Sequence, residues 1–127
     1  MKIIGTGVDI VDNNRFKKYD KNKRFYEKIY SATELKKIKL NKNNINFLAK
    51  RFAAKEALVK AIGTGFRNKI SFKEITINKD HLGKPFISIS IRLKKYLIKK
   101  FKTKKFNIFL SLSDEKKYSI AFVILAK

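Results

Sequence analysis

The sequence predicts an α+β fold, with helices in the first half of the chain and mainly antiparallel strands in the second. Two observations carry most of this prediction. A stretch rich in Ala, Leu, Lys and Glu, residues 51–62, has the composition of a helix and stops at Gly63. Beyond this helix, short runs alternate apolar and polar side chains and are separated by turn residues such as Gly83 and Pro85. The chain of 127 residues fits one domain, which we expect to span residues 1–127.

The first half is predicted to contain one strand followed by helices. Gly5 and Gly7 interrupt the β-forming residues of the strand and indicate a bulge or a close approach by another backbone. Ser31 and Glu34 have the spacing of a capping box, so a helix should begin there. In chain order, the predicted elements are a strand over residues 2–11, short helical segments over 15–19 and 24–30, a helix from 31 to about 40, a loop at 41–44 and the long helix that ends at 63.

The second half is predicted to be mainly strands. Gly83 and Pro85 mark a hairpin-type turn between two of them. Leu93, Tyr96 and Leu97 recur at helical spacing, and the apolar final run should pair antiparallel with the strand before it. The predicted elements are strands over 70–78, 86–91, 106–112 and 118–125, a helix over 92–101, and turns at 80–85 and 114–117.

The net charge of +22 narrows the class of partner. Nucleic acid is the first partner to consider for such a basic chain, and a small basic nucleic-acid-binding module is therefore an alternative function. However, 27 of the basic residues are Lys and only 5 are Arg, whereas Arg is the side chain that reads phosphates and bases with a bidentate fork. An acidic protein suits the charge equally well, because opposite charges steer association.

Several kinds of site and location are excluded by composition. The chain has no Cys, so it has neither a disulfide framework nor a thiolate metal site. The single His81 excludes a metal site built from several histidines. No run approaches the roughly 18 apolar residues that a membrane span needs, and the start of the chain does not resemble a signal peptide. We therefore expect a cytoplasmic protein with no membrane partner.

Charged residues in apolar surroundings indicate a candidate site. Asp9 lies in an apolar strand, where a carboxylate is costly unless it is paired or coordinates a metal. Arg51 and Lys55 fall within the apolar arc of the long helix, and Glu56 and Lys60 lie one turn apart at its edge. The residues alone leave two interpretations open. One is a site for a polyanionic ligand and its metal; the other is lysines that reach solvent, a surface Glu56–Lys60 pair and an Asp9 that bonds backbone amides.

Two motifs, taken together and in order, resemble the holo-[acyl-carrier-protein] synthases, the small group of 4′-phosphopantetheinyl transferases. The first is GTGVDIV at residues 5–11, followed by Arg15-Phe16. The second is RFAAKEA at residues 51–57, followed by KAIGTG at 60–65. Two shorter matches are GKP at residues 83–85, a turn between strands, and SLS at 111–113, the start of a late strand-turn motif. The resemblance covers essentially the whole chain and implies the fold of that family.

The resemblance implies a group transfer. These enzymes move the phosphopantetheine arm of coenzyme A to a serine hydroxyl of apo acyl carrier protein, release adenosine 3′,5′-bisphosphate, and so support fatty acid biosynthesis. It also implies Mg²⁺ as cofactor, held by Asp9 and Glu56 with pyrophosphate oxygens and water. Glu56 is further implied to orient or deprotonate the hydroxyl through a metal-bound water, and Lys60 to stabilise the leaving phosphate.

The resemblance also implies a set of residues that bind coenzyme A. Arg51 would grip a phosphate of the nucleotide, most plausibly by a fork contact. The backbone amides of the glycine turn would line the nucleotide. Lys55 is placed in the same cleft or, as the alternative, in a pair within the protein. The residues expected to bind coenzyme A are Arg51, Lys60, Gly63, Thr64 and Gly65.

Two further expectations concern partners. Arg15 and Arg24 lie on the early helical segments, in the region that receives the acidic carrier protein in this family. They are favoured over the neighbouring lysines because Arg is rare in this chain. Since the acidic carrier protein accounts for the high charge, nucleic acid is not expected as a partner. Compact members of the family assemble as homotrimers with active sites between subunits, so a homotrimer is expected.

One position departs from the family. Many members carry a histidine just after the SLS motif, where it contacts the coenzyme A nucleotide, but here the residue is Asp114 and Glu115 follows it. A carboxylate cannot do what a cationic or donating imidazole does beside a phosphate. Whether this turn contacts the nucleotide is therefore open, as is the alternative of a protein that keeps the fold without catalysis.

Overall fold

The computed structural model of the protein describes residues 1–40, 45–65 and 70–127, and the predicted loop at 41–44 lies outside them. The predicted α+β fold is confirmed. The strands are β1 Ile3–Asp12, β2 Ile75–Lys79, β3 Pro85–Ile89, β4 Asn107–Asp114 and β5 Tyr118–Ala126. The helices are α1 Lys23–Ile29, α2 Ala32–Leu40, α3 Ile45–Ile62 and α4 Ile91–Lys100, and there are 3-10 helices at Asn13–Tyr19 and Phe72–Glu74.

Two predicted strands are shorter than expected. The strand predicted over 86–91 ends at Ile89, because Ser90 caps helix α4, which begins at Ile91. The strand predicted over 70–78 begins at Ile75, because the three residues before it form a 3-10 helix. The backbone amide of Ser71 donates to the carboxylate of Glu74 at 3.1 Å, which closes a local capping box. Ser and Glu at this spacing therefore favour a turn over an early start of the strand.

The strands form two antiparallel sheets. The larger has the order β1-β5-β4, and β2 and β3 pair separately as a hairpin. The predicted pairing of the last two strands is confirmed, with Leu112 opposite Ala121. Ala121 also lies opposite Asp9, so β5 is the central strand and β1 an edge strand of the larger sheet. Helix α3 packs across β1 and β5.

Helix α3 comes very close to β1 because both surfaces are built from small residues. A Cβ atom placed on Gly7 would lie 1.9 Å from the carbonyl oxygen of Ala57, and one placed on Gly5 would lie 2.0 Å from that of Ala61. Neither glycine can be replaced without moving the helix or the strand. This confirms the predicted close approach, and it places Asp9 beside the second half of α3.

Aromatic residues attach the first 3-10 helix to α3. The ring of Phe16 is buried, and its centroid lies 5.3 Å from that of Phe52 in an edge-to-face contact. Tyr19 and Phe25 stack on each other with centroids 3.8 Å apart and extend the same cluster. The cluster fixes the position of the neighbouring Arg15.

The face of the larger sheet that points away from α3 is apolar and exposed. Val8 and Ile10 of β1 are 55% and 58% exposed, and their partners Phe122 and Ile120 on β5 are 41% and 39% exposed. Phe109 on β4 is 47% exposed. Alternation along each strand therefore buries one apolar row against α3 and leaves a second row open.

Among the described helices, none combines the length and apolar character that a bilayer crossing requires.

Candidate active site

Asp9 and Lys60 form an ion pair between β1 and α3. The Lys60 ammonium donates to Oδ1 of Asp9 at 3.0 Å and to the carbonyl oxygen of Val8 at 3.0 Å. The Asp9 side chain is only 14% exposed, whereas that of Lys60 is 53% exposed. The second carboxylate oxygen of Asp9, Oδ2, is buried and has no hydrogen-bond partner among the described residues. A buried oxygen of this kind has capacity for a ligand.

Glu56 lies one helical turn before Lys60, and its pKa is influenced by the charges of Asp9 and Lys60. Burial, and next the negative charge of Asp9, raise the pKa of Glu56, while Lys60 and Arg15 act in the opposite direction. Lys60 contacts Asp9 and lies one turn after Glu56 on α3, so the two carboxylates are neighbours, although they are 47 positions apart in the chain. Two neighbouring carboxylates repel each other, and a cation placed between them stabilises both.

The donor set suits a hard divalent cation. Among the described residues there is no cluster of three or more His, Cys, Asp or Glu side chains that could enclose a metal. Asp9 and Glu56 thus offer carboxylate oxygens alone, one of them unpartnered. Mg²⁺ suits such a set, because it keeps several waters and takes phosphate oxygens from its substrate.

Arg51 lies on a different side of α3, in a pocket of about 150 Å³. Its side chain is buried, and the guanidinium carbon lies 3.5 Å from the ring centroid of Phe47. Burial lowers the pKa of Arg51, and its Nε has no hydrogen-bond partner among the described residues. The pocket is lined by Lys50, Arg51, Ile77, Lys79, Gly83, Pro85, Leu112 and Asp114.

Asp114, the departure from the family, forms part of this pocket wall. Its carboxylate lies 3.8 Å from the ammonium of Lys50. The turn that follows is held by Asn13, whose side-chain amide donates to the carbonyl oxygens of Glu115 and Lys116 at 2.9 and 3.2 Å. At the position where many members of the family carry a histidine, this chain therefore has a carboxylate that lies near the ammonium of Lys50.

The predicted site residues form two clusters within one chain. In a helix with 3.6 residues per turn, Glu56 is rotated about 140° from Arg51, and Lys60 about 180° from it. The pocket around Arg51 accordingly includes neither of them. One chain thus presents a carboxylate cluster on one side of α3 and a basic pocket on the other.

Lys55 does not lie in the cleft, and that interpretation was wrong. Its side chain is fully buried and its ammonium lies 2.6 Å from Oε1 of Glu34. The alternative, a pair within the protein, is confirmed. Burial lowers the pKa of Lys55 to about 8, and Glu34 opposes that shift.

The remaining predicted residues are exposed or partly exposed. Arg15 is exposed and close enough to Glu56 to lower its pKa, and Arg24 is exposed on α1. The predicted end of α3 at Gly63 is confirmed, with φ of 88°, and Gly65 has φ of 62°. The hydroxyl of Thr64 donates to the carbonyl oxygen of Gly65 at 3.2 Å. No contact of this turn tests its predicted role with the nucleotide.

Sequence reasoning missed the structural roles of Glu34 and Lys50. Glu34 was recognised only as part of a capping box, and Lys50 was not considered. The box itself is confirmed, since the amide of Ser31 donates to Glu34 at 3.0 Å. Glu34 is also fully buried, and a glutamate is rarely fully buried unless it is paired. The signal available was the unexplained Lys55 on an apolar arc, which requires a buried acid somewhere in the chain.

The comparisons with known proteins agree with this geometry. A model of the 4′-phosphopantetheinyl transferase superfamily matches residues 5–123. The chain belongs to this superfamily. It is 53% identical over 127 residues to a holo-[acyl-carrier-protein] synthase of Pelagibacter ubique, with 100% of this chain and 99% of the relative covered.

Solved structures of the superfamily share the fold. The holo-[acyl-carrier-protein] synthase of Neisseria meningitidis matches with a TM-score of 0.86 at 38% identity, covering 98% of this chain and 99% of that one. The enzyme of Bacillus anthracis, solved in complex with coenzyme A (3′,5′-ADP), matches with a TM-score of 0.82 at 33% identity, covering 100% and 99%. The superfamily fold thus extends over the whole chain.

Proposed function

We propose that this protein is a magnesium-dependent holo-[acyl-carrier-protein] synthase. It transfers the 4′-phosphopantetheine group of coenzyme A to a serine of apo acyl carrier protein and releases adenosine 3′,5′-bisphosphate, in support of fatty acid biosynthesis. The observation that carries the proposal is the Asp9–Glu56–Lys60 cluster in a member of this superfamily, with one carboxylate oxygen of Asp9 buried and unpartnered.

Asp9 and Glu56 are the residues that would hold Mg²⁺. A bound Mg²⁺ supplies positive charge to the pyrophosphate of coenzyme A and lowers the cost of charge that develops there. The raised pKa of Glu56 supports this role, because burial and then the charge of Asp9 both disfavour its carboxylate, and a bound cation would offset both.

The transfer is a displacement at phosphorus. The serine oxygen of the carrier protein bonds to the phosphorus that bears the pantetheine arm, and the bond from that phosphorus to the bridging oxygen breaks. The bridging oxygen leaves with adenosine 3′,5′-bisphosphate. Glu56 is the base that accepts the hydroxyl proton, and a raised pKa brings a carboxylate closer to the range in which it works as a base at neutral pH. Lys60 stabilises the negative charge on the leaving phosphate.

Arg51 and its pocket bind the nucleotide half of coenzyme A. Its buried, unpartnered Nε and the nearby Lys50 and Lys79 provide positive charge for a phosphate. Thr64 with its two flanking glycines would contact the same ligand through backbone amides.

A homotrimer with active sites between subunits resolves the separation of the two clusters. Since Arg51 and Lys60 lie on opposite sides of α3, one molecule of coenzyme A meets both kinds of cluster most directly when neighbouring subunits supply one each. The exposed apolar face of the larger sheet, Val8, Ile10 and Phe122 among its residues, supports a second copy of the chain as its occupant.

Arg15 and Arg24 receive the acidic carrier protein. Arg15 supports this assignment best, because it is exposed and its charge already acts on Glu56. A carrier protein docked on Arg15 would bring its serine to the carboxylate cluster. The high net charge then has an acidic partner, and its attraction would be sensitive to salt.

The test is a transfer assay followed by mass spectrometry. Purified protein with apo carrier protein, coenzyme A and Mg²⁺ should add one phosphopantetheine group to the carrier. Omission of either coenzyme A or Mg²⁺ should abolish the gain. No gain in the complete mixture would refute the proposal and would favour a binding protein. Light scattering on the same sample tests the trimer.

A further inference from the structure

A buried ion pair between Glu34 and Lys55, called the brace below, connects the elements behind the Arg51 pocket. The Lys55 ammonium lies within 3.0 Å of four acceptors. They are Oε1 of Glu34 at 2.6 Å and the backbone carbonyls of Ile75 at 2.7 Å, Ile29 at 2.8 Å and Phe72 at 3.0 Å. Both side chains of the pair are 0% exposed. The single ammonium therefore joins α3 to α1, α2, the second 3-10 helix and β2.

Glu34 extends the brace to the next strand residue. Its Oε1 accepts from the amide of Ser31 at 3.0 Å, and its Oε2 accepts from the amide of Ile77 at 3.0 Å. The carboxylate thus uses both oxygens on backbone amides or on Lys55. Because the Glu34 side chain is also 0% exposed, neither oxygen is accessible to a ligand.

The brace reaches two of the elements that line the Arg51 pocket, α3 and β2. Lys55 lies one turn after Arg51 on the same side of α3, and Arg51 forms one wall. Ile77, whose amide donates to Glu34, lines the same pocket from β2 together with Lys79. Glu34 and Lys55 therefore connect α3 to β2 directly beside the pocket.

Stability alone does not account for charges at this place. Removing an ammonium and a carboxylate from water is costly, and apolar residues of similar volume often give an equal or more favourable free energy of folding. An ion pair does differ from an apolar pair in one respect, because its hydrogen bonds have defined directions and lengths. The advantage of Glu34 and Lys55 over apolar residues is then that they fix the relative positions of the elements they join.

We infer that Glu34 and Lys55 are positioning residues that hold α3 and β2 at the spacing the nucleotide of coenzyme A requires. This inference rests on the proposed function, since it assigns the pocket to that nucleotide. Neither side chain touches the ligand. Their loss should act on the affinity for coenzyme A and leave the affinity for the carrier protein unchanged.

The decisive variant is Glu34→Leu with Lys55→Met, which replaces the pair with apolar side chains and leaves no buried charge. We expect it to fold, with KM for coenzyme A and Kd for adenosine 3′,5′-bisphosphate raised about tenfold or more, since small displacements of binding groups have effects of this order. KM for carrier protein should stay within error of the wild-type value. Hydrogen exchange at the Ile77 amide should be faster.

Leu97→Ala is the matched control. Leu97 is fully buried in α4 and does not line the pocket, so this variant loses stability without moving the pocket walls. It should leave both KM values unchanged. If the apolar double variant does not fold, Glu34→Gln measured below its melting temperature decides in its place, with the same readouts.

An unchanged affinity for coenzyme A in the folded variant would overturn the inference, as would an equal rise in both KM values. Failure of the proposed function is distinguishable. In that case the wild type itself does not modify the carrier protein, and the affinity for adenosine 3′,5′-bisphosphate still reports on the pocket.

Discussion

Lys55 and Lys60 lie five residues apart on one helix and have opposite environments. Lys55 is fully buried and lies within 3.0 Å of four acceptors. Lys60 is 53% exposed and contacts Asp9 and one backbone carbonyl. Both were candidates for the same cleft because both are lysines near an apolar arc. The comparison teaches that a charge is structural when its partners are complete and buried, and available for chemistry when they are not.

The carboxylate beside Lys55, Glu34, contrasts in the same way with the carboxylates near Lys60, Asp9 and Glu56. Each oxygen of Glu34 accepts a hydrogen bond from a buried donor. Oδ2 of Asp9 has no partner among the described residues, and the pKa of Glu56 is raised by burial and by Asp9. Glu34, which is fully buried, is therefore inaccessible to an ion, whereas Asp9 and Glu56 gain from binding one.

The largest expected effect is the loss of activity when the carboxylate cluster is altered. Glu56→Gln removes a metal ligand and the base but keeps the shape of the side chain. We expect kcat to fall by about 10³-fold or more, since loss of a general base alone has effects of 10²–10⁴-fold. The measurement is the rate of holo carrier protein formation. Turnover near the wild-type rate would remove Glu56 from the site.

The second effect compares the two lysines by stability. Lys55→Met leaves Glu34 as an unpaired buried charge, so the free energy of unfolding should fall by about 3–5 kcal/mol. Lys60→Met breaks a half-exposed pair and should lower it by at most about 1 kcal/mol. Urea denaturation of both variants measures the difference. Equal losses would contradict the distinction drawn between the two lysines.

A smaller effect concerns the carrier protein. Arg15→Glu reverses a charge beside Glu56 and should raise KM for carrier protein about tenfold, with little change in KM for coenzyme A, because a docking charge acts mainly on its own partner. Lys94→Glu makes the same charge change on exposed α4 and serves as the control. The effect of Arg15→Glu should shrink as salt is added. If the two KM values rose together, Arg15 would belong to the catalytic cluster instead.

The smallest effect is the pH dependence of stability without Mg²⁺. The pKa of Glu56 is higher in the folded protein than its ordinary value, so the folded state binds the proton more tightly. Stability contributed by the protonated form is lost as pH rises from the ordinary pKa through the raised one. Glu56→Gln removes this loss, so its melting temperature at neutral pH should exceed that of the wild type by about 1–3 °C.

Mg²⁺ should reverse the order of the two melting temperatures, because it binds the wild-type carboxylate pair better than the variant. The control is the same pair of proteins at a pH below the ordinary pKa of Glu, where the difference should vanish. A variant less stable than the wild type at neutral pH without the ion would contradict the raised pKa of Glu56.

Features encoded by near neighbours in the chain could be predicted from the sequence. The capping box at Ser31 and Glu34, the stop of α3 at Gly63 and the terminal hairpin are all confirmed. They depend on backbone geometry over a few residues, which residue type specifies directly. The strand predicted from residue 70 was too long, because Ser71 and Glu74 form a local cap that competes with the strand.

Contacts between distant segments could be predicted only as alternatives. Gly5 and Gly7 indicated a close approach by some backbone, but only the fold shows that it is that of Ala57 and Ala61. Lys55 required a buried acid, yet nothing in local spacing pointed to Glu34, 21 positions away. Pairings of this kind depend on the packing of several elements at once.

The sequence by itself determined the fold class, the superfamily motifs and the residue types suited to bind a cation and a polyanion. Only the tertiary structure decided which of those charges are fully partnered, and that Asp9 of β1 lies beside Lys60 of α3. The physical reason is that periodicity and capping act within one element. The cost of a buried charge, in contrast, depends on every partner that the folded chain brings to it.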